Sequence, residues 1–146
     1  MQSCSRVIGR WAVLFLIAVA ASGCENVRPI YQVKNQPIPQ LSTPLTLKQI
    51  EAHIIKAGRL RNWRLRVIEP GKIEGLLSIK RRSAVATIDY NQRFYSIRYK
   101  SSHKLYAGKA WKDQAYEGQF VIHRKYNSRV RALERAINRE LSFPSS

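Results

Sequence analysis

Four short runs in which apolar and polar residues alternate, between residues 63 and 99, constrain the fold of this 146-residue chain more than any other feature. An apolar residue at every second position is typical of a strand with one buried face. Turn residues separate these runs: Pro70-Gly71 follows the first run, and Asn91-Gln92 precedes the last. Four consecutive strands with short connections predict an antiparallel meander. Its core-facing residues would be Trp63, Leu65, Val67, Ile73, Gly75, Leu77, Ile79, Ala84, Ala86, Ile88, Tyr90, Tyr95, Ile97 and Tyr99.

A helix is predicted on each side of these strands. Thr46 and Gln49 have the spacing of a capping box, and Gly58 is a natural helix terminator. The apolar residues between them recur at helical intervals: Leu47, Ile50, Ile54 and Ala57. Near the C-terminus an apolar stripe is formed by Tyr126, Val130, Leu133, Ile137 and Leu141, with Arg124, Arg131, Arg135 and Arg139 almost opposite.

The order αββββα predicts an α+β fold. In its specific form this would be a two-layer sandwich, a four-stranded antiparallel meander with two helices on one face. Residues 101–121 have no clear periodicity, and we expect a long loop with at most a short strand. The single folded domain is expected over residues 46–146.

Residues 24–45 are rich in proline, at Pro29, Pro37, Pro39 and Pro44. Proline favours an extended backbone of about 3.1 Å per residue, which predicts a tether between an anchor and the domain. The alternative is a strand packed on the domain, for which Ile30, Tyr31 and Val33 supply apolar side chains.

The first 23 residues have the order of charges and apolar residues found in a secretory signal peptide. Arg6 and Arg10 precede the wholly apolar run from Trp11 to Ala20, and three small residues follow. A membrane-spanning helix needs about 20 apolar residues, and this run has about half that number. We therefore predict a signal peptide that is removed.

Ala21-Ser22-Gly23-Cys24 resembles the lipobox of bacterial lipoproteins, although Ala21 stands where that class more often has leucine. The resemblance implies cleavage between Gly23 and Cys24, and acyl groups on Cys24 that anchor the chain in a membrane. By the same analogy, Glu25 favours the outer membrane, with the domain on the periplasmic face. The second cysteine, Cys4, lies in the part predicted to be removed, so no intramolecular disulfide is expected.

The chain is strongly basic, with 26 Lys and Arg against nine Asp and Glu and a formal charge of +17. Such an excess favours anionic partners. The predicted surface for them combines cations of the outer sheet face with a ridge on the last helix; the plainer interpretation is a solvated charged surface. The candidate residues are Arg64, Arg66, Lys80, Arg98, Lys100, Arg131, Arg135 and Arg139.

Catalytic chemistry is not predicted. His53, His103 and His123 have no metal-ligand spacing to other donors, and no nucleophile motif or phosphate-binding loop is present. We therefore expect no enzyme, no catalytic residue, no metal and no cofactor.

The late run Ile122–Asn127, with sequence IHRKYN, is similar to a run shared by small uncharacterised lipoproteins of Gram-negative bacteria. The resemblance implies the same arrangement of helices and strands and brings no activity with it. The simpler interpretation makes Tyr126 a core residue and Asn127 a residue of the helix start.

Three functions follow as hypotheses. The first is an envelope lipoprotein that binds anionic lipid, lipopolysaccharide or an envelope protein, with no nucleic acid expected. The second is a nucleic-acid-binding domain, if residues 1–23 are retained inside the cell. The third is an assembly factor whose aromatic segment 104–120 holds a partner protein.

Overall fold

The chain folds into two helices and two antiparallel sheets in a computed structural model that describes residues 26–112 and 116–143. The predicted α+β class is therefore confirmed. The predicted signal peptide, its cleavage site at Gly23 and the predicted acylation site at Cys24 lie outside the described residues. In chain order the elements are β1 Val27–Pro29, β2 Val33–Pro37, α1 Leu47–Leu60, β3 Trp63–Glu69, β4 Lys72–Ile79, β5 Arg82–Tyr90, β6 Phe94–His103, β7 Gly108–Lys109, β8 Phe120–His123 and α2 Arg124–Ser142.

The predicted meander forms four of the five strands of the larger sheet, whose order is β2-β6-β5-β4-β3. The prediction of four strands is wrong because β2 adds to the free edge of β6, with Val33 opposite Ile97. A second sheet, of order β1-β8-β7, was not predicted. Its strands are two to four residues long, too short to show a period in the sequence.

The tether prediction is wrong for residues 27–38, which pack on the domain as the alternative anticipated. Val33 and Ile38 are buried, and the Ile38 N–H donates to the Arg93 carbonyl at 2.7 Å. Pro29 and Pro37 lie on β1 and β2, which are edge strands of their sheets, where a missing N–H is tolerated. Burial of the apolar side chains and the ladder hydrogen bonds therefore outweigh the preference of this segment for an isolated extended chain.

The core contains buried residues of the larger sheet and of both helices. Tyr90 and Tyr95 are cross-strand partners with buried rings on one face of the sheet. The Tyr90 hydroxyl donates to Glu51 of α1, and the Tyr95 hydroxyl donates to Asn138 Oδ1 of α2 at 2.6 Å. One pair of cross-strand tyrosines therefore forms hydrogen bonds with both helices.

Both predicted helices are present, with one difference in length. The capping box is confirmed: the Gln49 N–H donates to Thr46 Oγ1 at 3.3 Å, and the Thr46 N–H donates to Gln49 Oε1 at 2.8 Å. Helix α1 continues past Gly58 to Leu60, so the prediction that Gly58 ends the helix is wrong. A Cβ at Gly58 would stand 2.3 Å from a methyl carbon of Leu65 on β3, which shows that glycine is present for close packing.

Residues 101–112 and 116–121 contain more secondary structure than the predicted long loop. Strand β6 extends to His103, and β7 and the start of β8 follow. Leu105 and Ala110 are buried. Among the described residues, no helix is long and apolar enough to cross a membrane.

Candidate anion-binding groove

A groove of about 740 Å³ lies where β1 meets the first turns of α2. We call it the basic groove, because five of its eight lining residues are cations. The lining consists of Arg28, Pro29, Arg124, Lys125, Asn127, Ser128, Arg131 and Arg135. The described part of the lining contains no acid, so the groove is suited to an anion.

Asn127 joins the two walls of the groove. Its Oδ1 accepts the Tyr31 N–H at 2.9 Å, and its Nδ2 donates to the Pro29 carbonyl at 2.8 Å. The Arg124 N–H also donates to the Asn26 carbonyl at 2.7 Å. These three hydrogen bonds hold the chain around β1 against the start of α2. Asn127 is in the first turns of the helix, as the simpler interpretation of IHRKYN expected, and its side chain has a tertiary role that the sequence did not reveal.

Tyr31 fixes the far end of the groove. Its hydroxyl donates to Glu134 Oε2 at 2.7 Å, and the Arg131 guanidinium carbon lies 3.9 Å from the centre of its ring. A cation over an aromatic face is attracted by the ring quadrupole. Arg131 is therefore positioned by an aromatic ring, and its charge stays available to a ligand.

The four groove cations on α2 have no acidic partner among the described residues. Arg124, Lys125, Arg131 and Arg135 form no ion pair with an acid anywhere in residues 26–112 and 116–143. The first turn of α2 contains no acid either. Helix N-termini carry a partial positive charge that favours anions and disfavours cations. Arg124 and Lys125 therefore add to an unfavourable positive potential that a bound anion would relieve.

His123 connects this end of α2 to the larger sheet. It is the N-cap residue, with Nδ1 3.2 Å from the Lys125 N–H, and its Nε2 lies 3.1 Å from Arg82 Nη1 of β5. A neutral imidazole has one acceptor nitrogen, so the ring accepts from only one of these donors at a time. Burial lowers the pKa of His123, and the charges of Arg82, Lys125 and Arg124 lower it further.

The positive region extends beyond the basic groove. A second concavity of about 360 Å³ lies at the β4–β5 turn and is lined by Ile79, Lys80, Arg81, Arg82 and Lys125. Lys125 lines both, so the two concavities meet at that residue. A ligand with more than one anionic group could therefore contact cations of both concavities.

The cations that were predicted to form one anion-binding surface lie in different parts of the structure. Of the helix ridge, Arg131 and Arg135 line the basic groove, whereas Arg139 is exposed on α2 outside the lining. Lys80 lies in the β4–β5 turn, not on the sheet face as expected. Arg64 is exposed on β3.

Three cations of the outer sheet face have acidic partners. Arg66 Nη2 lies 3.2 Å from Glu74 Oε1, and Lys100 binds the other oxygen of the same carboxylate. Arg98 Nε lies 3.0 Å from Asp89 Oδ2. Three of the candidate anion-binding residues, Arg66, Arg98 and Lys100, are therefore paired with acids, because the strand register places carboxylates beside them.

Sequence reasoning missed three cations of the groove. Arg28 was assigned to the tether, and its place opposite α2 depends on the unpredicted pairing of β1 with β8. Arg124 and Lys125 belong to the IHRKYN run. Two consecutive cations at a predicted helix start, where acids are preferred, are a signal that was available in the sequence.

Among the described residues, no group of three or more His, Cys, Asp or Glu side chains is arranged to hold a metal ion. The chain matches no protein family model, no curated protein and no solved structure.

Proposed function

We propose that this chain is a lipid-anchored envelope protein that binds a phosphate-bearing component in the basic groove, without catalysing a reaction. The observation that carries the proposal is the set of four groove cations on α2 with no acidic partner among the described residues, two of which, Arg124 and Lys125, lie in the first turn of this 19-residue helix. Guanidinium and ammonium groups, together with the Asn127 amide and the Ser128 hydroxyl, are groups that bind phosphate oxygens.

The spread of the cations favours a ligand with several anionic groups. Arg124 and Arg135 are three helical turns apart, which corresponds to about 16 Å along α2 at 1.5 Å per residue. A single phosphate cannot contact both. Phosphorylated lipid headgroups, the phosphorylated sugars of lipopolysaccharide and envelope polymers share the required chemistry.

The location of the protein in the cell is part of the same proposal. Acylation of Cys24 after removal of residues 1–23 would place the domain on the periplasmic face of the outer membrane. The finer fold assignment, a two-layer sandwich with both helices on one sheet face, is also part of it. The contacts of Tyr90 with α1 and of Tyr95 with α2 support that arrangement.

The first experiment is the intact mass of the protein extracted from its own membranes, compared with the Cys24→Ser variant. A chain that starts at Cys24 and is heavier by its acyl groups supports the anchor, and the variant should remain an unacylated precursor. An unmodified wild-type chain that retains residues 1–23 contradicts it. Nucleic acid would then become the leading candidate ligand, because the groove cations also suit phosphodiesters.

The second experiment tests the basic groove with purified lipopolysaccharide as the probe and single-stranded RNA in parallel. The variant Arg124→Gln/Arg131→Gln/Arg135→Gln should weaken lipopolysaccharide binding on the order of 100-fold, because each cation near an anionic surface contributes about 1 kcal/mol. The matched control Arg66→Gln/Arg98→Gln/Lys100→Gln removes the same charge from the outer sheet face.

The control variant should lose less than about fivefold, since its cations are already paired. An equal loss in both variants would show that total charge, and not the groove, determines binding. No loss in the groove variant would exclude the groove as the site.

A further inference from the structure

A second surface of unusual composition lies beside the groove, around β7. We call it the aromatic surface, and it is a concavity of about 800 Å³ whose lining includes Val27, Tyr106, Lys109, Trp111 and Lys112. The two aromatic side chains are 68% and 78% exposed, respectively. Two exposed aromatic residues in one concavity mark an interaction surface, because their exposure to water is unfavourable.

We propose that the aromatic surface docks in the headgroup region of the lipid bilayer to which the chain is anchored. Tyr and Trp are the side chains that accumulate at membrane interfaces, where the ring is apolar and its polar edge stays hydrated. Lys109 and Lys112 are exposed in the same surface. Ammonium groups at this position attract acidic headgroups.

The position of the aromatic surface in the chain selects the bilayer as its occupant. Val27 lines the surface and is three residues after Cys24. Three extended residues reach at most about 11 Å. If Cys24 carries acyl chains, the aromatic surface is therefore held within about one headgroup layer of the lipid, and this step rests on the proposed function.

Strand β1 then relates the two surfaces. Val27 lines the aromatic surface and Arg28 lines the basic groove. Pro29, which points to the same face of the strand as Val27, also lines the basic groove. The two surfaces therefore adjoin along β1.

Trp111 provides its own probe for the test. The acylated full chain is extracted from its membranes, checked by intact mass and reconstituted into vesicles of phosphatidylethanolamine and phosphatidylglycerol. Quenching of tryptophan emission by brominated lipid and by aqueous iodide is then measured for the wild type and for Trp111→Phe. The difference between the two isolates Trp111, because Trp63 is only 2% exposed and is common to both.

The expected result is that brominated lipid quenches Trp111 and that vesicles shield it from iodide. The Lys112→Gln variant should weaken docking about fivefold on vesicles that contain phosphatidylglycerol, and should have no effect on vesicles of phosphatidylcholine alone. A Trp111 that iodide reaches freely, and that brominated lipid does not quench, overturns the proposal.

Two other outcomes are distinct from these. An unmodified Cys24 in the mass spectrum contradicts the anchor alone, and the same Trp111 quenching, with vesicles added at increasing concentration, still decides whether the surface docks. A Trp111 that is shielded in native membranes but exposed in pure lipid shows that a protein covers the surface, and the bilayer proposal is then wrong.

Discussion

The outer sheet face and the basic groove are both rich in cations, but they differ in where the acids lie. On the sheet face, Glu74 binds Arg66 and Lys100, and Asp89 binds Arg98. In the groove, the cations of α2 form no ion pair within the described parts of the chain. On one surface the fold pairs three cations with acids, whereas on the other the cations of α2 have no acid beside them among the described residues.

The difference shows that a net charge of +17 does not locate a binding site. Exposed ion pairs such as those of the sheet contribute only about 0–1 kcal/mol to the free energy of unfolding, and they reduce the field that a ligand meets. Unpaired cations at a helix N-terminus oppose the helix dipole and destabilise the free protein. Under the proposed function, a bound anion offsets this cost.

The largest effect is expected at Asn127, which holds the groove walls together. Asn127→Ala removes one donor and one acceptor and leaves the Tyr31 N–H and the Pro29 carbonyl without partners. We expect the free energy of unfolding to fall by about 2 kcal/mol, the cost of leaving such groups unsatisfied. Chemical denaturation measures this change, and lipopolysaccharide binding should weaken in parallel as the wall that carries Arg28 is released.

Ser128→Ala is the matched control for this variant, because Ser128 lines the same groove and is exposed. Its stability should stay within about 0.5 kcal/mol of the wild type. If the two variants are equally stable, Asn127 does not hold the groove, and the view that the groove is preformed is wrong.

A smaller effect is expected when the acids of the sheet face are neutralised. The double variant Glu74→Gln/Asp89→Asn leaves Arg66, Lys100 and Arg98 without their carboxylates. Stability should fall by less than about 1 kcal/mol, whereas calorimetric titration with pyrophosphate should show a second site that the wild type lacks. This change would make the sheet face resemble the groove.

Glu69→Gln serves as its control, since among the described residues Glu69 forms an ion pair with one lysine, Lys72, at the end of the β3–β4 hairpin. One released lysine should create no measurable site. If the double variant also gains no site, pairing with acids is not what distinguishes the two surfaces.

The structural features that the sequence predicted correctly are those that depend on a local sequence pattern. The capping box at Thr46, the apolar stripe of α2 and the alternation in β3 to β6 each lie within one element or one hairpin, and all are present. The alternation fails only at Val67, which was predicted to face the core and is 40% exposed. The ion pair of Arg66 with Glu74 could also have been predicted from the sequence. The two residues are cross-strand partners in the hairpin that turns at Pro70-Gly71.

The basic groove could not be predicted because its two walls, β1 and α2, are far apart in the sequence. Asn127 binds the carbonyl of Pro29, 98 residues away, and β1 has only three residues. No periodicity identifies so short a strand, and the prolines around it favoured a tether. The groove follows from tertiary pairing, which overrides the local preference of residues 27–38.

The smallest expected effect concerns His123, whose ring lies between the groove and the sheet. Its pKa is lowered from 6.5 by burial and by the charges of Arg82, Lys125 and Arg124. The unfolded chain therefore binds a proton at this histidine more readily than the folded chain. Stability should be insensitive to this group above pH 6.5 and should fall as the pH drops below 6.5.

The His123→Asn variant keeps a good N-cap residue and removes the titrating group, so its stability should fall less between pH 6.5 and pH 5.

Arg124 and Lys125 line the groove, and an anion bound there should offset their repulsion of the protonated ring. Sulfate, which does not titrate in this range, should therefore raise the pKa of His123 in an NMR titration of the wild type. In Arg124→Gln/Arg131→Gln/Arg135→Gln the same sulfate concentration should leave that pKa unchanged. A wild-type pKa that sulfate does not move would show that no anion binds near the start of α2, and the groove would then be no different from the sheet face.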